Sequence, residues 1–153
     1  MIAGAAFVVA VALAILVWPW RSEGPAGGRE AVTAESMRVA VLPFTPHGFG
    51  ADEEGLSEGA AQLVALGLET RGSLEVVPHR RVLAAWERAG LSGARAFNAE
   101  SLSALAGELG ATSLVLGDLH ASGDELRIVA ELVGSRAGAV LARADIRGPR
   151  DSL

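Results

Sequence analysis

The chain has no cysteine, no lysine and no tyrosine. Without cysteine there is no disulfide, no thiolate nucleophile and no Cys-ligated metal. Without lysine there is no P-loop lysine, no kinase phosphate-binding lysine and no Schiff base. All 13 basic residues are arginine, and against 18 acidic residues they leave a net charge of −5. That balance argues against a nucleic-acid partner, whose phosphates must be neutralised by basic groups. Charge is also missing from the first twenty residues, so the whole imbalance falls on residues 21–153.

What fills those twenty residues is an apolar run from Ile2 to Trp20. At about 1.5 Å per residue a helix of that length reaches about 28 Å, close to the hydrocarbon thickness of a bilayer. A cleavable signal peptide needs a basic start, a core of about 7–15 apolar residues and a small-x-small site. This run is longer, nothing basic precedes it except the amino terminus, and no clean site follows. Trp18 and Trp20 sit at its end, where amphipathic rings favour the headgroup level. Residues 1–20 are therefore predicted to be a single transmembrane anchor in contact with membrane lipid. Gly4, Ala5 and Ala6 would let two such helices approach closely, which allows a homo-oligomer without indicating one. Arg21 and Arg29 follow the run and, taken literally, place the rest in the cytoplasm. A span beginning at Met1 has no flank to oppose them, and a longer parent chain would supply the deciding residues.

Residues 21–36 are polar and rich in Gly and Ala, which predicts a flexible tether. Met37 to Phe44 is a nearly continuous apolar run of the kind a strand buried on both faces requires. The loop TPHGFGAD follows, then a helix from about Glu53 to Arg71, with Asp52 as its cap. Leu56, Ala60, Leu63, Val64, Gly67 and Leu68 repeat at helical spacing and are expected to face a sheet. Leu74–Val77 predicts a short strand. A helix from Arg80 to Ala89 should bury Val82, Leu83 and Trp86. After the loop LSGARAF, Asn98 should cap a third helix that Gly110 stops. Ser113–His120, Glu125–Val133 and Ala139–Ile146 read as strands, the first two joined by a tight turn at Ser122-Gly123-Asp124. The order is β-α-β-α-α-β-β-β. It predicts an α/β fold, a three-layer-like mixed sheet with parallel early strands and an antiparallel terminal meander. The domain is expected over 37–148, with 149–153 as a tail.

These residues resemble a bacterial family, the TolB-like amino-terminal domain. The likeness rests on VAVLPF and GLSEGAAQLVALGLE in the first half. In the second it rests on Glu108-Leu109-Gly110-Ala111, Gly117-Asp118-Leu119, Ser122-Gly123-Asp124-Glu125-Leu126-Arg127-Ile128, Glu131-Leu132-Val133, Gly138 and Asp151-Ser152-Leu153. It covers residues 38–153. Leu141-Ala142 stand where the family often carries an acidic or aromatic residue, and Asp118 where it prefers a small polar one. The resemblance implies a membrane-held interaction or sensory module, often joined to a serine/threonine kinase or DNA-binding domain and to tetratricopeptide repeats. It implies a soluble part outside the cytoplasm and no catalytic residues. No kinase motif lies in these 153 residues.

Candidate chemistry is sparse. Thr45, His47, Gly48, Phe49, Gly50 and Asp52 lie at the carboxyl end of the first strand, where open α/β sheets tend to bind ligands. Asp52, Glu53, Glu54 and Glu58 crowd the following helix terminus and would repel phosphate. His47, His79 and His120 are far apart and form no paired ligand motif, so no metal site is expected, nor any cofactor. Asp118 and His120 do point to one side of one strand. Ser57, Ser101 and Ser103 lack a nucleophile elbow. Arg80, Arg81 and Arg88 cluster on one helix and could meet an acidic partner. The chain reads as a membrane-anchored, non-catalytic binding or signal-relay module acting through protein contacts. The alternative is a small-molecule receptor or enzyme using residues 45–52.

Overall fold

The first strand, β1 (Arg38–Val41), lies inside a mixed sheet and alternates its side chains between two cores. Val39 and Val41 enter one hydrophobic cluster, and Ala40 and Leu42 enter the other. Burial on both faces is why the run is apolar throughout. The computed structural model describes residues 37–50, 54–70, 74–91, 97–136 and 138–149. The anchor predicted over 1–20, the tether over 21–36, the Asp52 cap and residues 150–153 lie outside these. Among the described residues no helix is long and apolar enough to cross a membrane.

Eight further elements follow: β2 (Thr45–His47), α1 (Glu54–Glu69), β3 (Glu75–Val76), α2 (His79–Arg88), α3 (Ala99–Leu109), β4 (Ser113–Ser122), β5 (Glu125–Gly134) and β6 (Val140–Pro149). The six-stranded sheet runs β3-β1-β4-β5-β6, with β2 also paired to β4. β1 is parallel to β3 and β4, and β4, β5 and β6 form an antiparallel meander. α1 packs on the face carrying Val39 and Val41, while α2 and α3 pack on the face carrying Ala40 and Leu42. The mixed sheet and its three layers are those expected.

The local signals act as read. Asn98 Oδ1 accepts from the Ser101 backbone N–H at 2.7 Å and caps α3, which Gly110 ends at φ 64. Trp86 is buried on α2 and meets the Phe97 ring at 4.9 Å between centroids.

Two expectations are corrected. The segment after Phe44 is not only loop: Thr45-Pro46-His47 forms β2, parallel to β4, so the order gains a strand. Pro46 is tolerated because β2 has β4 on one side and no strand on the other among the described residues. Second, α1 is rotated from the predicted face. It buries Ser57, Ala60, Ala61, Val64, Ala65 and Leu68, and leaves Leu56 36%, Leu63 41% and Leu66 56% exposed. The small residues let the helix lie close to the sheet, and the Ser57 hydroxyl donates to the Phe44 carbonyl, which fixes its rotation. Spacing of the large leucines alone selected a neighbouring stripe.

Candidate functional site

β2 owes its side-chain direction to an irregularity between the first two strands. Val41 lies opposite Val115, but Thr45 lies opposite Asp118. Four residues advance on one strand against three on the other, so the alternation of side chains switches across Leu42-Pro43-Phe44. Phe44 consequently turns into the α1-side core with Val41, and Thr45 and His47 turn to the opposite face. Gly117 makes room for this: a Cβ there would lie 2.6 Å from the Phe44 ring. Past His47 the chain presses on β4 again. Gly48 takes φ +76, and a Cβ on it would lie 2.4 Å from the Ala121 carbonyl oxygen.

The result is a polar cluster where β2 runs beside β4. His47 sits directly opposite His120, with Asp118 two residues earlier on the same face of β4. His47 Nε2 is 2.9 Å from Asp118 Oδ1, a geometry in which the imidazole N–H donates to the carboxylate. The two imidazole rings stack at 4.5 Å between centroids and 12° between planes. One ligand-type atom from each of the three side chains lies within 4.8 Å of the others. His47 is exposed, and Asp118 and His120 are half-buried. On this face Leu114 and Leu116 pack with α2 and α3, and Asp118 and His120 follow them along β4.

The same face continues in polar rows across the meander. Arg127 lies opposite His120 on β5, and Asp145 lies one strand further. Arg127 donates to both Asp145 carboxylate oxygens, the Nε contact at 2.7 Å. Those hydrogen bonds hold the Asp145 carboxyl below its ordinary range and raise the Arg127 guanidinium. Arg143 pairs with Glu131 at 3.4 Å.

Of the other sequence candidates, Thr45 is half-buried in β2 opposite Asp118, and Phe49 packs partly against the α1-side core rather than offering its ring to a ligand. Gly50 follows it, and Asp52 lies outside the described residues. Arg80 and Arg81 are exposed beside a shallow cleft of about 440 Å³ between α2 and α3. Arg88 on the same side is paired with Glu108 and donates to the Ala84 carbonyl at 3.0 Å. That pairing spends one of the three charges expected for an acidic partner. A second exposed feature is the outer edge of β6. Of its ten residues only Ala144 is buried, and Val140 and Leu141 are 55% and 56% exposed.

The histidine cluster escaped the spacing rules because its members are brought together by a strand register, not by a local motif. His47 and Asp118 are 71 residues apart. The legible half of the signal is Asp-x-His on β4. The other half is a histidine just past β1, the strand that β4 pairs with.

No family model matches the chain, and no curated protein sequence matches it. The TolB-like resemblance is therefore corrected: no family model supports it, and the folds that match belong to other proteins. The LpoB C-terminal domain from Escherichia coli superposes with a TM-score of 0.66 at 12% identity, over 94% of this chain and 96% of that one. The LpoB C-terminal domain from Salmonella enterica gives 0.57 at 16% identity, over 95% of each chain. Lipoprotein GNA1162 from Neisseria meningitidis gives 0.52 at 16% identity, over 74% of this chain and 81% of that one. At such identities the likeness shows the fold: a mixed α/β domain of the kind these three proteins share.

Proposed function

We propose that this chain is a membrane-held, non-catalytic binding module that works through protein–protein contacts at the free edge of β6. The observation that carries this is the edge itself. β6 ends the strand order, is ten residues long, and is paired on one side only among the described residues. An unpaired edge offers a row of backbone donors and acceptors to an incoming strand, and the alternating side chains supply specificity. Arg143, Arg147, the irregularity in the ladder at Leu132/Val133 and Pro149 guard the edge against indiscriminate pairing. Val140 and Leu141 leave an apolar contact at its start.

Anchoring follows from residues 1–20, whose apolar length suits a bilayer, with residues 21–36 as the tether. That one protein of the same fold is named a lipoprotein accords with a membrane-held role. Arg80 and Arg81 are proposed as an accessory surface for an acidic segment of the same partner.

The test is site-specific photo-crosslinking in cells that make the full chain. A crosslinker at Val140 or Leu141 is expected to yield discrete protein adducts. One at Leu66, equally exposed on α1, is expected to yield none. Leu141→Arg should suppress the Val140 adducts. Adducts from Leu66 with none from β6 would assign docking to the α1 face and overturn the proposal.

A further inference from the structure

We infer that His47, Asp118 and His120 form a binding site for a divalent cation of the zinc class. Two imidazoles and one carboxylate are a donor set for zinc and its d-block neighbours, whereas magnesium and calcium favour all-oxygen shells. The three side chains stand on adjacent strands, on one face, with ligand atoms within 4.8 Å of one another. In a tetrahedral site with bonds of about 2.0–2.1 Å, ligand atoms lie about 3.3 Å apart. The widest separation therefore has to close by no more than about 1.5 Å. Side-chain rotation can supply that, since the Cα positions are held by the ladder pairing of β2 with β4.

The 2.9 Å contact between His47 Nε2 and Asp118 Oδ1 shows what the ion would replace. A cation takes the place of that hydrogen bond, and in a neutral imidazole the ring N–H shifts to Nδ1 as Nε2 becomes the ligand. His120, stacked on His47, then splays its ring to bring the second nitrogen inward. His47 is exposed and Asp118 and His120 are half-buried, which leaves the remaining coordination positions to water or to a ligand from another molecule. The charge of Arg127, opposite His120, would oppose a cation, but both carboxylate oxygens of Asp145 hold that guanidinium.

Such a site ties β2 to β4 independently of the β6 edge, so either proposal can fail without the other. Isothermal titration of the full chain in detergent with ZnCl2 tests it, with MgCl2 as the comparison. One equivalent of Zn2+ is expected to bind with saturation, and Mg2+ is not. His47→Gln, Asp118→Asn and His120→Ala should each weaken Zn2+ binding about tenfold or more. His79→Gln should leave it unchanged. Co2+ in place of Zn2+ should develop visible d–d absorption that the His120→Ala chain lacks. The variants' far-UV circular dichroism should match the parent, since His47 is exposed and Asp118 and His120 are half-buried. No saturable Zn2+ binding, or binding that survives all three substitutions combined, would overturn the site.

Discussion

His47 of β2 lies directly opposite His120 of β4, and their rings stack 4.5 Å apart. The pairing exists because one extra residue is taken up between Val41 and Thr45. Without it, Phe44 would lie opposite Asp118, and His47 would fall opposite Ala121 on the α1-side face. An apolar buried strand is thereby followed, within a few residues, by one that presents an exposed histidine. The core is arranged around the same switch: Phe44 is 2% exposed and turns inward where His47 turns outward.

Gly117 and Gly48 hold that switch in place, and substituting them should be costly. A Cβ on Gly117 would press on the buried Phe44 ring at 2.6 Å. Gly117→Ala should lose about 1–3 kcal/mol, as overpacked cores do. Gly48→Ala should lose at least as much, because the obstacle is the Ala121 backbone oxygen at 2.4 Å and the φ is +76. Gly59→Ala is the contrast. It sits in α1 with nothing within 4 Å of a Cβ, and should gain about 0.5–1 kcal/mol. Urea-unfolding midpoints of the three variants check the order.

What could be read without the structure was what depends on near neighbours. The Asn98 cap, the Gly110 stop and the Gly123-Asp124 turn each act over two to four residues, and each is where its residue type places it. Burial of β1 on both faces was legible because it is a property of the strand alone. The histidine cluster was not, since it requires both the register of β2 on β4 and the extra residue at Leu42–Phe44. The face of α1 was half legible. Ala60, Val64 and Leu68 face the sheet as expected, but Leu56 and Leu63 do not. Close approach through Ala61 and Ala65 outweighs the larger transfer energy of two leucines at the rim. The family resemblance rested on short turn-and-strand phrases, and no family model supports it.

His79 should make stability depend on pH. It opens α2, and both ring nitrogens are buried without a hydrogen-bond partner. Burial lowers its pKa from 6.5, with the Glu58 carboxylate partly offsetting the effect. The unfolded ring therefore takes up a proton more readily than the folded one. Its contribution is fully present above about pH 6.5 and shrinks as pH falls toward the lower folded value. Between pH 7.5 and 5 the native chain should lose stability more steeply than His79→Gln. Denaturant midpoints measured for both chains across that range give the comparison. Parallel curves would mean that His79 titrates alike in both states.

Removing residues 1–36 should leave a folded, soluble domain. The two hydrophobic clusters are built from residues 37–146, and the first of them to pack is Met37, which rests partly buried against the α1-side core. Among the described residues, every strand and helix of the sheet and its two layers falls within Arg38–Pro149. The deleted part carries the apolar run Ile2–Trp20, whose transfer to a bilayer would otherwise govern where the chain partitions. The full chain is expected in the membrane fraction, released by detergent and not by high salt. Chain 37–153 is expected in the soluble fraction, with a cooperative thermal transition and circular dichroism of a mixed α/β protein. If 37–153 were insoluble or unfolded, the two cores would need residues 1–36 to close. The division into anchor, tether and binding domain would then be wrong.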